Sequence, residues 1–239
     1  MKEIKTWRDP YDRGFSTCRA RKIEIQPGIT VLVGCNGSGK STLIANIAEV
    51  LRHDHIPTVH YNNLHDGGSN TVGNFYCDKE MGLMAAAWSS SEGEQINLNL
   101  AHLCSKLKNF IQTGEYYKNR FSRGLSKIFA DDDKEKSIVP NERWILLDAV
   151  DSGFSIDNVI DLKNLLQLVI DDGTAAGMEM YIIIAANEYE LVHEMNCMDA
   201  TTGKYMRFAG YDDFKQFIIN SRKKKDARYE REMARDQKN

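Results

Sequence analysis

The chain has 239 residues, 42% of them hydrophobic and 27% charged, with a formal net charge of -3. That size supports one substantial domain around a single core, and the near balance of charge excludes a uniformly basic protein that coats nucleic acid. Five cysteines (Cys18, Cys35, Cys77, Cys104 and Cys197) form no C-x-x-C pair, which argues against a disulfide framework or zinc site and for reduced thiols. No signal-like apolar leader follows Met1 and no apolar run reaches about 18 residues, so the expectation is a cytoplasmic protein with no membrane contact.

In chain order, the first fifteen residues read as polar and turn-rich. Residues 19–25 alternate charged with apolar, as a half-exposed strand does. Pro27-Gly28 turns into the apolar run 29–33, and the next eight residues are Gly34-Cys35-Asn36-Gly37-Ser38-Gly39-Lys40-Ser41. This is a complete G-x-x-x-x-G-K-[ST] loop. Its glycines let backbone N–H groups turn around phosphates, Lys40 reaches the terminal phosphates, and the Ser41 hydroxyl suits Mg²⁺. Residues 41–51 read as the helix whose N-terminal dipole completes that cradle. The nucleotide-binding set expected from the loop is Gly34, Asn36, Gly37, Ser38, Gly39, Lys40, Ser41 and Thr42, with a nucleoside triphosphate as ligand.

A short strand is expected over 58–61, followed by a polar loop over 62–70. One helix is expected over 72–88. After the Ser89-Ser90-Ser91 break, a second carries Ile96, Leu98, Leu100, Leu103, Leu107 and Phe110, mostly at helical spacing. Residues 112–140, with the charged run 131–136, read as a solvated insertion. Trp144-Ile145-Leu146-Leu147-Asp148 is a buried strand closing on a carboxylate that, with Ser41, would hold Mg²⁺. A helix is expected over 156–170, a turn at Asp171-Asp172-Gly173, a buried strand over 181–185 and a short one over 205–208. A last helix begins at Asp212 and runs into a polar tail. From Ser221 that tail holds eight Lys/Arg against four Asp/Glu, with Arg222-Lys223-Lys224-Lys225 as its dense block. Strands alternating with helices predict an α/β fold with a parallel sheet and ligand at the carboxyl ends of the strands. The glycine-rich loop resembles that of P-loop NTPases, a resemblance that implies a three-layer, mostly parallel sheet. A single domain spans 1–239, with a small helical lobe over about 70–140 and a basic C-terminal helix and tail over about 212–239.

The run from Gly34 to Thr42, led in by Pro27-Gly28-Ile29-Thr30, resembles the phosphate loop of ABC-type ATPases, particularly the DNA-repair and chromosome-maintenance (SMC-like) branch. Ser90-Ser91-Glu92-Gly93-Glu94-Gln95 resembles that family's signature motif, and residues 151–155 stand where the family has the loop that crosses its dimer interface. The resemblance spans about residues 15–190. It implies an ATP-dependent head-to-tail homodimer in which Ser91 and Gly93 touch nucleotide held by a second subunit, and a DNA or nuclease partner. Read from the residues alone, the Ser91 stretch can also be a plain helix cap.

Three positions depart from the family pattern. Ala149 replaces the glutamate that polarises the attacking water. No glutamine lies between Lys40 and Gln95, leaving Asn62, Asn63, His65 or Asp66 as stand-ins. Asn187, followed by Glu188, occupies the place of the switch histidine, where it either contacts the γ-phosphate or merely caps the strand. Glu188 and Asp151 are the conceivable substitute bases. The expectation is ATP binding with weak or slow hydrolysis in a DNA transaction. The alternative is a nucleotide-regulated binding module without turnover, and a transporter-coupling ATPase is disfavoured by the short lobe.

Overall fold

The computed structural model of the protein describes residues 1–6, 18–66, 71–117, 140–151 and 153–236. The turn-rich stretch from residue 7, the glycine-rich loop end at 67–70, the charged run 131–136 and Ser152 lie outside the described residues. A six-stranded sheet runs in the order β4 (Thr58–Asn62), β5 (Glu142–Asp148), β6 (Glu179–Ala185), β3 (Gly28–Val33), β7 (Asn196–Asp199), β8 (Lys204–Met206). All neighbours are parallel except the antiparallel β7–β8 pair. A separate hairpin joins β1 (Lys2–Lys5) to β2 (Lys22–Ile25), with Ile4 opposite Ile23.

The three central strands are apolar at nearly every position because both faces of a parallel sheet are buried. Alternation then sorts their side chains by face. Ile145 and Leu147 of β5 join Val31, Val33, Ile182 and Ile184 on one face, covered by α5 (Glu92–Thr113) and α6 (Ile156–Ala175). Trp144 and Leu146 join Leu32, Tyr181 and Ile183 on the other, covered by α1 (Lys40–His53) and the hairpin. On that second face Trp144 and Tyr181, paired in register, stack with ring centroids 4.2 Å apart. Helices on both faces make this an α/β protein with a mostly parallel, mixed sheet. No helix among the described residues is long and apolar enough to cross a membrane.

Several elements differ from the sequence reading. Within the polar loop expected over 62–70, the chain forms the one-turn helix α2 (Asn63–Asp66). The single helix expected over 72–88 is two, α3 (Thr71–Cys77) and α4 (Met81–Ser89), parted at Lys79, which has a φ of 61°. The break is set from outside. Asp78 is buried, and its carboxylate accepts from His102 Nε2 at 2.9 Å and Lys106 Nζ at 2.8 Å, both on α5.

The turn expected at Asp171-Asp172-Gly173 is helix, because α6 continues to Ala175. Gly173 serves close packing there: a Cβ would run into the Met180 side chain of β6. The turn comes at Gly177, with a φ of 77°. The polar N-terminus holds a strand whose Ile4 is fully buried, and β7 and the one-turn helix α7 (Tyr189–Val192) carried no pattern long enough to read. The tail is one continuous helix, α8 (Tyr211–Asp236), anchored by Phe214 in the core.

Candidate functional site

The carboxyl ends of β3, β5 and β6 and the start of α1 enclose a cavity of about 230 Å³, lined by residues including Asn36, Gly37, Lys40, Ser41, Asp148, Ala149 and Asn187. β3 stops at Val33, the chain turns through residues 34–39, and α1 begins at Lys40 with Gly39 as its left-handed N-cap. No acidic residue sits in the first turn of α1 and Gly39 brings no capping side chain, so the amides and positive dipole end face the cavity. Thr42 also lines it.

Lys40 is buried, and its Nζ donates to the Gly34 carbonyl at 2.8 Å. Burial pushes its ammonium below the ordinary lysine value, opposed by the charges of Cys35, Asp151 and Asp148. A desolvated cation with a neutral hydrogen-bond partner beside an open cavity is a strong anion receptor.

Opposite it, Asp148 is nearly sequestered, and its two oxygens accept from Ser41 Oγ at 3.0 Å and Asn62 Nδ2 at 3.2 Å. The sheet register creates that second contact, because β4 and β5 pair Asn62 with Asp148. Hydroxyl, carboxylate and amide oxygens suit Mg²⁺, a hard cation that keeps waters and phosphate oxygens rather than demanding a full protein cage. Consistent with that, the described residues contain no cluster of three His, Cys, Asp or Glu that would form such a cage.

Of the residues offered for the missing glutamine, Asn62 is the one at Asp148. Asn63 is buried and accepts from the Tyr61 hydroxyl at 3.2 Å, while Asp66 accepts from the Asn62 N–H at 2.9 Å. The side chain of His65 lies outside the description. Tyr61 ties this strand end to the helical lobe, accepting from Asn99 Nδ2 at 2.9 Å, and burial pushes its phenol up to about 12.

Ala149 adopts a φ of 51° on the cavity wall and ends at its Cβ. Asp151 is buried, and its Oδ2 accepts the N–H groups of Asn187 at 2.6 Å and Glu188 at 2.9 Å. That carboxylate staples the tip of β5 to the tip of β6, which aims Asn187 into the cavity. Its Oδ1 has no partner among the described residues. Glu188 is exposed, caps α7 and is absent from the lining.

Ser91 and Gly93 are exposed at the start of α5 and do not line the cavity of their own chain. The Ser91 N–H and hydroxyl both donate to Glu94 Oε2, at 2.7 and 2.9 Å, and these bonds lower the Glu94 carboxyl. Ser91 is thus engaged in a capping box.

Sequence reasoning did not single out two residues beside the loop. Ser221 Oγ accepts from the Cys35 N–H at 3.3 Å, and Lys225 Nζ donates to the Asn36 carbonyl at 3.0 Å, both from α8. Their only sequence signal was the basic block at 222–225. A larger depression of about 470 Å³ at the hairpin, lined by Lys5, Thr6, Ala20, Arg21 and Lys22, has no carboxylate among its described lining residues.

Fold and site together define an α/β protein with a polar, glycine-lined cavity, holding Lys40 and Asp148, at the carboxyl edge of a mostly parallel sheet. No family model matches the chain, and no curated protein matches it.

Proposed function

We propose that the chain is a Mg²⁺-dependent ATP-binding protein of the P-loop NTPase type, resembling the SMC-like and DNA-repair branch of ABC-type ATPases. The carrying observation is the pairing, across one cavity, of the buried Lys40 with the Ser41–Asp148–Asn62 cluster. Lys40 and the amides opening α1 bind the phosphates. Ser41 and Asp148 would hold the metal, which would neutralise phosphate charge when bound.

Asn187, held by Asp151, orients the terminal phosphate or a water. With Ala149 in the glutamate position, no carboxylate lines the cavity apart from Asp148 among the described residues. A missing general base lowers the rate by about 10²–10⁴-fold, so hydrolysis is slow and ATP serves chiefly as a switch. Ser91 and Gly93 would meet the nucleotide of a second copy in a head-to-tail homodimer, with the Ser91–Glu94 bonds giving way to the ligand. A DNA or nuclease partner follows from the resemblance.

The tests are calorimetric titration of ATP with and without Mg²⁺, and gel filtration with ATP, each against Lys40→Ala. Absence of Mg²⁺-dependent ATP binding in folded protein refutes the reading, and an elution volume indifferent to ATP removes the dimer. A second reading, a nucleotide-regulated binding module without turnover, is favoured specifically by Ala149 and by the stapling role of Asp151. Phosphate release measured with and without DNA separates the two.

A further inference from the structure

A second groove lies on the outer side of the phosphate loop, between that loop, α8 and the β7–β8 turn. It has a volume of about 270 Å³, and its lining includes Arg19, Ser38, Asp199, Lys224, Lys225 and Arg228. Four of those six residues are cations. Asp199, the one carboxylate among the described lining residues, spends its oxygens on the Thr201 N–H and the Thr202 hydroxyl, each at 2.9 Å.

The basic side chains are presented deliberately by the helix. Phe217, Ser221, Lys224 and Arg228 recur at three- and four-residue spacing, so one stripe of α8 faces the groove while its apolar start packs on the core. The Arg222–Asp226 pair on the same helix lies outside the lining. Lys225 reaches over Gly37, where a Cβ would approach its Nζ to 3.3 Å, and donates to the Asn36 carbonyl. Ser38 is buried, and its hydroxyl has no hydrogen-bond partner among the described residues.

A concentration of cations with a single, internally satisfied carboxylate raises the local concentration of anions. The volume is at the lower bound of small-molecule sites, about 300 Å³, so it fits phosphate groups rather than a whole cofactor. The net charge of -3 makes such a patch local rather than a property of the whole chain.

We propose that this groove is a second phosphate-recognition site, taking the phosphodiester backbone of a nucleic acid strand along α8. It places the nucleic-acid partner of the proposed function on the chain, and it rests on that reading for its biological meaning alone. Arg19 and Lys224 are backbone-contacting residues that carry no sequence preference.

The test uses the full chain carrying Lys40→Ala and no ATP, so phosphate binding at the first cavity is suppressed and a failure of the ATP reading leaves this result unaffected. A fluorescent single-stranded oligonucleotide is titrated by anisotropy at several salt concentrations, with inorganic tripolyphosphate as the second probe. Engagement of Arg19 and Lys224 predicts a slope of log affinity on log salt of about -1.4 for a single strand. The Arg19→Gln/Lys224→Gln double variant should lower the slope by about 1.4 and weaken binding uniformly across sequences. Lys223→Gln, on the same helix but outside the lining, should leave the slope within about half a unit.

Binding of the oligonucleotide with that dependence on Arg19 and Lys224 supports the proposal. Binding of tripolyphosphate alone, lost in the double variant, assigns the groove to free polyphosphate and overturns the nucleic-acid source. No binding of either probe, or affinity and slope unchanged by the double variant, overturns the site itself.

Discussion

Ala149→Glu probes the proposed chemistry most directly. The residue sits on the cavity wall one position beyond Asp148, so a longer side chain there enters the space that phosphates would occupy. Its φ of 51° is unusual for a residue with a Cβ, but alanine already bears that strain and glutamate adds little to it. A correctly placed base supplies about 10²–10⁴-fold, equivalent to about 3–5 kcal/mol of barrier. Part of this gain is offset, because the new carboxylate stands near Asp148, although Lys40 and bound Mg²⁺ counter that repulsion. The expected net gain in kcat is therefore toward the lower end, about 10²-fold, in a steady-state phosphate-release assay. Ala149→Gln has the same reach without the base and should show no comparable gain. The reasoning is refuted if the unaltered protein already turns over at a typical rate of about 10 s⁻¹. It is equally refuted if Ala149→Glu binds ATP normally and turnover does not rise.

The depressed Lys40 ammonium predicts a pH signature for ATP affinity. A phosphate favours the charged form, so affinity is full below the free-protein pKa and falls as pH rises from there toward the higher value in the complex. Nucleotide titrations from neutral pH to about pH 10 should show this loss beginning below the ordinary lysine value, with Lys40→Arg holding its affinity across the range. An onset at or above the ordinary value would contradict the desolvation argument.

Asp78→Ala removes the buried carboxylate that His102 and Lys106 both contact. It should destabilise the lobe by about 2–4 kcal/mol in urea unfolding, with faster amide exchange in α3. A loss under about 0.5 kcal/mol would mean that these contacts are solvated and optional. Gly173→Ala should lower stability by about 1–3 kcal/mol through overpacking against Met180. A raised Tm would show that the flexible thioether simply moves aside.

The elements whose information is local were legible from the chain. The glycine-rich loop over 34–41 is eight contiguous residues with a strand before and a helix after, and backbone geometry in so short a span follows from its own glycines. Asp148 was equally visible, because a run of buried aliphatics ending in an acid is a strand tip wherever it packs. The strand-turn-helix units of the sheet and the apolar stripe of α5 could be read from periodicity.

Distant partners made the remaining choices. Asn62 stood among four candidates until the β4–β5 register set it against Asp148. Asp151 read as a conceivable base, and the fold spends one of its oxygens on the amides of residues 36 and 37 positions away. The α3–α4 break carries Asp78, which is bonded to α5, and the helix that continues through Asp171-Asp172-Gly173 packs closely on Met180. The basic run at the end of the chain looked like a solvated tail. Only its docking beside the phosphate loop, 189 residues away from Lys225, makes a groove of it. Local sequence therefore determined which groups the protein can offer to the proposed phosphate chemistry. Tertiary packing decided which of them face one cavity, because register and helix docking are set by long-range burial that no short window of residues contains.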